Sequence, residues 1–419
     1  MIDIKKLVTD PSIYITELTK RNTNPQIALD LQTVYLNNTE LQKELDSKRQ
    51  IKNQFNQEVI SLKGEQKQEA ISKMRIISDE IAILEDNTNL LKKEIENLSY
   101  QIPNLTSKET PIGKNENDNV AIVTVGTKPS FEFQPKHYHE LPIFKRDYLG
   151  IKGVEAFGAR GYYIKGELAK LQKVMFQYVL EKLENSGFEY IIPPILVNEK
   201  VMYGTGFFPD GIEDTYQVTV SDKKYYLVGT SEAPLMYLHS NTTLDLTNPI
   251  MLMAQTPCFR KEAGSYGKDT QGGIRVHQFD KLETVVICKP EDASKMFNLI
   301  TQVASTTIQD FGLCFNQLEI CTGDISKKNH RQIDLEAWFP AQESFRELCS
   351  SSNCTDYQTR NLGIYYLNDQ GKKTLSYSLN CTGVVNRFLY AILENYQQAD
   401  GSIVLPKLLA DRMNKKVII

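Results

Sequence analysis

Residues 256–283 read TPCFRKEAGSYGKDTQGGIRVHQFDKLE, and this stretch decides the fold: strand, glycine-rich loop, strand. An apolar run from Ile250 to Phe259 ends in Arg260, with Glu262 just beyond. Gly264, Gly267, Gly272 and Gly273 follow among Ser265, Asp269 and Thr270, residue types that supply turns and positive φ. The return run, Ile274 to Ile287, places Arg275, His277, Phe279, Lys281 and Glu283 at every second position, the period of a strand with one functional face. An arginine at a strand end suits a phosphate or carboxylate through two parallel hydrogen bonds, and Phe279 suits stacking on a flat ring. A half-solvated sheet face with a surface ion pair has the same local pattern, so the weight falls on the other segments.

Working outward, the pattern changes near residue 105. Before it, Leu31, Val34, Asn38, Leu41, Leu45, Lys48, Lys52, Phe55, Val59 and Leu62 keep a strict 3,4 spacing. Met74, Ile77, Ile81, Leu84, Thr88, Leu91, Ile95 and Leu98 do the same. Two such series around a polar bend at Gly64 to Gln68 predict an antiparallel helical hairpin. Pairing Leu62 with Met74 sets Lys48 level with Thr88, a polar section of the seam where the arm would bend. A dimerisation coiled coil and an RNA-binding arm both fit this segment, and its balanced charge does not choose between them.

After residue 105 the sequence is a glycine- and proline-punctuated mixture of helices and strands. Lys165 to Asn185 carries an apolar face of Leu168, Leu171, Met175, Tyr178, Val179 and Leu183, then runs into the strand-like GFEYIIPP ending at Pro194. Proline cannot donate to a ladder, so that strand belongs at an edge or an interface. Val228 to Glu232 is a short loop with Thr230 and Glu232 two residues apart; the pair suits an ammonium group and equally a helix cap. RELCSSSNCTD (346–356) reads by itself as a polar strand and turn, and NCTGVVNRFLYAILENYQQAD (380–400) opens a helix at Arg387, a favourable place for phosphate.

Composition bounds the chain as a large globular protein: 419 residues with 41% apolar content. A net charge of −4 excludes a global basic field, so any RNA contact uses local patches, and DNA is not expected as a partner. Seven cysteines (258, 288, 314, 321, 349, 354 and 381) without CxxC pairs point to reduced thiols, and Cys258, on an apolar run, reads as packing. MIDIKKLVTD lacks the features of a signal or transit peptide, and no apolar run reaches membrane-spanning length.

At the quoted residues the chain resembles the class II aminoacyl-tRNA synthetases, specifically the seryl-tRNA synthetase family: CFRxEAGSYGxDTxGxxRxHQFxKxE is its motif 2, the segment ending at Pro194 its motif 1, and Arg387 its motif 3 arginine. The resemblance covers essentially the whole chain and implies an α+β fold: a class II antiparallel β-sheet flanked by helices in a catalytic domain over 106–419, preceded by a tRNA-binding coiled-coil hairpin over 1–105. It implies a cytoplasmic homodimer joined through motif 1 that uses ATP and Mg²⁺ to charge tRNA(Ser) with serine, and leaves selenocysteine tRNA open. By motif, Thr230, Glu232, Arg260, Glu283 and Thr382 would hold serine; Arg260, Glu262, Phe279, Glu347, Ser350 and Arg387 would hold ATP; Glu347 and Ser350 would hold the metal. Arg260, Glu283 and Arg387 would be catalytic, and by analogy Arg49, Lys52, Lys73 and Arg75 would meet the tRNA. A scaffold built on an inactive synthetase body, an enzyme that loads a carrier protein, and a class II synthetase for another amino acid are the rivals. The chain departs from the family pattern within Gly204 to Gly211, at Asn329 to Ile333, at Cys349, and by one residue fewer between Asn380 and Arg387.

Overall fold

A computed structural model describes residues 1–60, 62–263 and 272–419, in two compact units, Met1–Leu105 and Thr106–Ile419. Gly264, Ser265, Gly267, Asp269 and Thr270 of the glycine-rich loop lie outside the described residues.

In the first unit, short helices α1 (Ile4–Thr9) and α2 (Ser12–Lys20) precede two long ones, α3 (Gln26–Glu58) and α4 (Gly64–Gln101). At about 1.5 Å per residue the long helices run roughly 50 and 57 Å. Leu41 and Leu45 pack against Ile77, Ile81 and Leu84. The polar stretch at Gly64 to Gln68, expected to be the bend, instead begins α4, and the chain turns back between Glu58 and Gly64. That shifts the register. Lys48 meets Glu80 at 2.7 Å rather than lying level with Thr88, about two helical turns away. The seam at Lys48 is therefore closed by an ion pair, and the expected polar gap is absent at that level. Thr88 is buried separately, its hydroxyl donating to the Leu84 carbonyl at 2.6 Å.

The second unit is organised by an eight-stranded sheet. Its strands in chain order are β1 (Val120–Val125), β2 (Glu189–Tyr190), β3 (Ile250–Phe259), β4 (Gln278–Cys288), β5 (Phe315–Glu319), β6 (Arg331–Phe339), β7 (Ser344–Thr355) and β8 (Tyr377–Val385). In space the order is β1-β5-β6-β7-β8-β4-β3-β2, antiparallel throughout except for β2 beside β3. Only Glu189 and Tyr190 enter the ladder before Pro193 and Pro194, and they do so at its edge, where a proline-terminated strand costs no central hydrogen bond.

Alternation along β4 explains how the sheet is used. Leu282, Val286 and Cys288 join the main core, which also contains Leu168, Leu171 and Val179 of helix α5 (Gly166–Asn185) and Phe388 and Leu389 of helix α6 (Arg387–Asn395). Val285 and Ile287 face the other way, into a smaller cluster with Leu235 and Met236. Glu283 and Lys281 share that second face by period, and there the apolar cluster gives way to polar groups. The return strand begins at Gln278 and not at Ile274 as expected, so Arg275 and His277 precede the ladder. Arg275 is drawn to Glu262 (3.3 Å), and His277 Nδ1 meets the Arg260 carbonyl (3.0 Å). Gly272, at φ +79°, and Gly273 lie so tightly against Tyr138 and Tyr390 that a Cβ at either position would collide with a tyrosine hydroxyl. The loop thus re-enters the sheet on a stacked pair of aromatic rings 4.6 Å apart.

Candidate active site

Glu283 is the focus of the site. It is 2% exposed, and three donors converge on its Oε2: Lys281 Nζ at 2.6 Å, and the hydroxyls of Thr230 and Thr382 at 3.4 Å each. Lys281 reaches it because residues two apart share a strand face, and Thr382 sits opposite Glu283 in the ladder of β8 with β4. Glu283 Oε1 has no hydrogen-bond partner among the described residues. Burial pushes the Glu283 carboxyl above its usual range, with Lys281 opposing that rise.

Glu232 repeats the arrangement. It opens the short helix Glu232–Tyr237, where Ser231 is the N-cap residue without a side-chain cap bond; the Thr230 hydroxyl, one residue earlier, accepts from the Glu232 amide at 3.3 Å in a local turn and also donates to Glu283. Glu232 is 4% exposed and its Oε1 takes the Lys328 ammonium and the Gln358 amide. The loop bearing Thr230 is held at the end of β3 by the Phe259 amide, which donates to the Val228 carbonyl at 2.9 Å.

Arg260 follows β3 directly. Its guanidinium lies 5.5 Å from the Phe279 ring centre and 3.4 Å from the Gly229 carbonyl. Phe279 faces Cys258 across the ladder, and Cys258 is fully buried, its thiol pushed up by burial, as expected of a packing residue. Glu262, at φ +56°, binds Arg275 and lies 4.0 Å from Arg160, which anchors the start of the glycine-rich loop. All seven cysteines are free and buried.

Arg387, the first residue of α6, donates to the Glu347 carbonyl at 2.7 Å and lies 3.3 Å from its Oε2. Burial works against the Glu347 charge, but Arg387, Arg260 and Lys281 outweigh it and hold the carboxyl below its usual range. Across the β6–β7 ladder Glu336 faces Glu347 and Asp334 faces Ser350. Burial and then Glu347 raise both carboxyls, Glu336 to about 7 and Asp334 in the same direction against its hydrogen bond with Ser350. Carboxylates crowded until they favour the proton mark a place suited to added positive charge. Among the described residues no three or more His, Cys, Asp or Glu side chains are arranged to hold a metal alone. The oxygen donors of Glu347 and Ser350 do fit Mg²⁺, which binds through one or two carboxylates and completes its shell with water and substrate phosphates.

One stability prediction follows from Glu336. Its folded-state value, about 7, lies above the ordinary 4.5, so the folded protein loses stability as pH rises through that window and the group ionises. In metal-free buffer, Glu336→Gln should therefore gain Tm relative to the parent chain between pH 5 and 7 and hold that gain above. A difference in Tm that is constant with pH would contradict the assignment.

Comparison with known proteins places this geometry. Residues 1–106 match the seryl-tRNA synthetase N-terminal domain, and residues 216–396 match the tRNA synthetase class II core domain (G, H, P, S and T). The serine–tRNA ligase of Elusimicrobium minutum is 36% identical over 100% of both chains, and that of Campylobacter jejuni subsp. doylei is 36% identical over 98% of this chain and 99% of its own. This chain belongs to the serine–tRNA ligase family. Its structure superposes on the seryl-tRNA synthetase of Pyrococcus horikoshii, solved with ATP, at a TM-score of 0.91 with 32% identity over 100% of this chain and 99% of that one.

Against the serine–tRNA ligase pattern, the structure brings Thr230, Glu232, Glu283 and Thr382 into one cluster and Glu347 beside Arg387. Despite the shorter spacing after Asn380, Arg387 still begins its helix. No motif in the sequence marks Lys328 or Gln358, and Lys281 is marked only as part of the strand face. Period-2 spacing could have linked Lys281 to Glu283; no local signal links Lys328 to Glu232. On the hairpin, Arg49 is paired with Glu85 (2.8 Å) and Lys73 with Glu69 (2.8 Å), whereas Lys52 and Arg75 have no ion pair among the described residues.

Proposed function

We propose that this chain activates L-serine with ATP, forming seryl-adenylate and pyrophosphate, and then transfers the seryl group to the 3′ end of tRNA(Ser). The observation that carries the reading is Glu283, a buried carboxylate ringed by Lys281, Thr230 and Thr382 with one oxygen uncommitted. Such a group accepts a hydrogen bond from a substrate hydroxyl and is left unpaired by alanine or glycine, which is how a site excludes the analogue lacking the group. Glu232 takes the ammonium. The serine carboxylate oxygen bonds to the α-phosphorus as the bond to the bridging oxygen of pyrophosphate breaks, with Arg260 neutralising both anions. Arg387 takes the γ-phosphate, and Phe279 stacks on the base. Catalysis is then positioning and charge neutralisation, without a covalent enzyme intermediate. In the second step a 3′-terminal hydroxyl attacks the seryl carbonyl and AMP leaves.

Glu347 and Ser350 would hold Mg²⁺ with the phosphates, where the ion would supply charge neutralisation. The first unit would hold the tRNA, with Arg49, Lys52, Lys73 and Arg75 on phosphates. The chain would work in the cytoplasm; among the described residues no helix is long and apolar enough to cross a membrane. Homodimerisation through motif 1 is supported by Ile192 of that segment, 86% exposed, and by apolar side chains shortly before it that one chain leaves in solvent: Ile151 (80%), Val154 and Phe157 on helix Gly150–Phe157, and Tyr163.

The test is ATP–pyrophosphate exchange with purified protein. Exchange should depend on serine and stay near background with alanine, glycine or threonine. Exchange with none of the four would favour the inactive-scaffold reading.

A further inference from the structure

We infer that Lys328 is a positioning residue of the amino-acid site: together with Gln358 it ties down Oε1 of Glu232 and leaves Oε2 for the substrate ammonium. The inference rests on the serine-activating function above and adds a residue that the motifs do not contain. Two donors fall on the same oxygen: the Lys328 ammonium and Gln358 Nε2 (2.7 Å) both meet Oε1. Oε2, on a side chain 4% exposed, has no hydrogen-bond partner among the described residues. Glu283 is built the same way, with Lys281, Thr230 and Thr382 all on Oε2 and none on Oε1. Each recognition carboxylate therefore carries its own lysine and spends one oxygen on the protein. Zwitterionic serine enters a site whose two buried negative charges are already compensated, and a carboxylate has lone pairs enough to accept a second cation.

Lys328 is seated for this task. Its ammonium lies 4.1 Å from the centre of the Phe207 ring, and neighbouring Lys327 pairs with Asp210 at 2.8 Å. Gln358 is fixed in turn: its amide nitrogen also donates to the Thr205 carbonyl (2.9 Å), and its Oε1 accepts from the Ser378 hydroxyl (2.8 Å). Phe207 and Asp210 lie in one segment where the chain departs from the family pattern, and Lys328 directly precedes the other, Asn329 to Ile333. Residues of the first segment thus contact Lys327 and Lys328 and not Glu232 itself. The ring gives the ammonium a second attraction and disfavours its drifting into the pocket.

The experiment compares the full chain with Lys328→Met and Lys328→Arg in serine-dependent pyrophosphate exchange. Lys328→Met should raise the KM for serine about tenfold or more, with the KM for ATP within about twofold, and Lys328→Arg should recover most of the loss. A serine KM that is unchanged would overturn the proposal. A lowered serine KM would also overturn it, and would make Lys328 a competitor for the ammonium seat. Equal rises in both KM values with a lowered Tm would reduce Lys328 to a structural prop. If Lys328→Met does not fold, Lys328→Gln is judged by the same serine-against-ATP split. Absence of serine-dependent exchange in the parent chain would instead remove the function on which the inference rests.

Discussion

Glu283→Gln should lower kcat/KM for serine activation by about three orders of magnitude while leaving the KM for ATP within about threefold. The size comes from what the change leaves behind. Glutamine keeps the shape and one acceptor, but the Lys281 ammonium, 2.6 Å from the carboxylate and itself buried, loses its counter-ion. Breaking a buried pair by removing one partner costs about 3–5 kcal/mol, part of which appears as lost stability and part as a disordered site. Thr230 and Thr382, which point their hydroxyls at the same oxygen, lose a charged acceptor together. A common loss for serine and ATP would show that Glu283 only supports the sheet. A loss confined to serine, with discrimination against alanine falling in parallel, is the expected result. Pyrophosphate exchange measured as a function of each substrate separates the two.

The second large effect concerns the first unit. Removing Met1–Leu105 should abolish serylation of tRNA while leaving serine-dependent pyrophosphate exchange within about fivefold of the parent chain, because every group assigned to serine and ATP belongs to Thr106–Ile419, which has its own sheet and core. Aminoacylation and exchange, run on the same preparation, read the two functions independently. Loss of both would mean that the hairpin supports the catalytic unit. Retained serylation would mean that tRNA is recognised elsewhere.

Much of this molecule is written in local pattern. Ile250 to Phe259 forms the strand expected of it, to the residue, because an apolar run beside an alternating partner has few other uses. Arg387 opens a helix, and the helix at Gly166–Asn185 buries the face its 3.6-residue period marks, whereas Thr230 lies one residue before the Ser231 cap position and bonds the Glu232 amide in a turn. Sequence also selected Glu283, Glu232, Thr230 and Thr382, since short motifs carry them whole. Element boundaries that depend on neighbouring segments are not written in local pattern. The return strand starts at Gln278 because Arg275 and His277 are claimed by Glu262 and the Arg260 carbonyl. The hairpin register missed by about two turns because heptads repeat, so the seam can slide by a whole repeat without changing its chemistry until the turn is placed.

Periodicity, capping and motif chemistry therefore decide which elements form and which side chains are offered, since each acts over a few residues of chain. Charge compensation within the site is decided only when distant segments meet. Lys328 and Glu232 are 96 residues apart, and Gln358 is 126 residues from that carboxylate. A buried ion pair leaves no mark in either partner's local sequence, because the attraction that offsets the cost of stripping water from both charges exists only once folding brings them together.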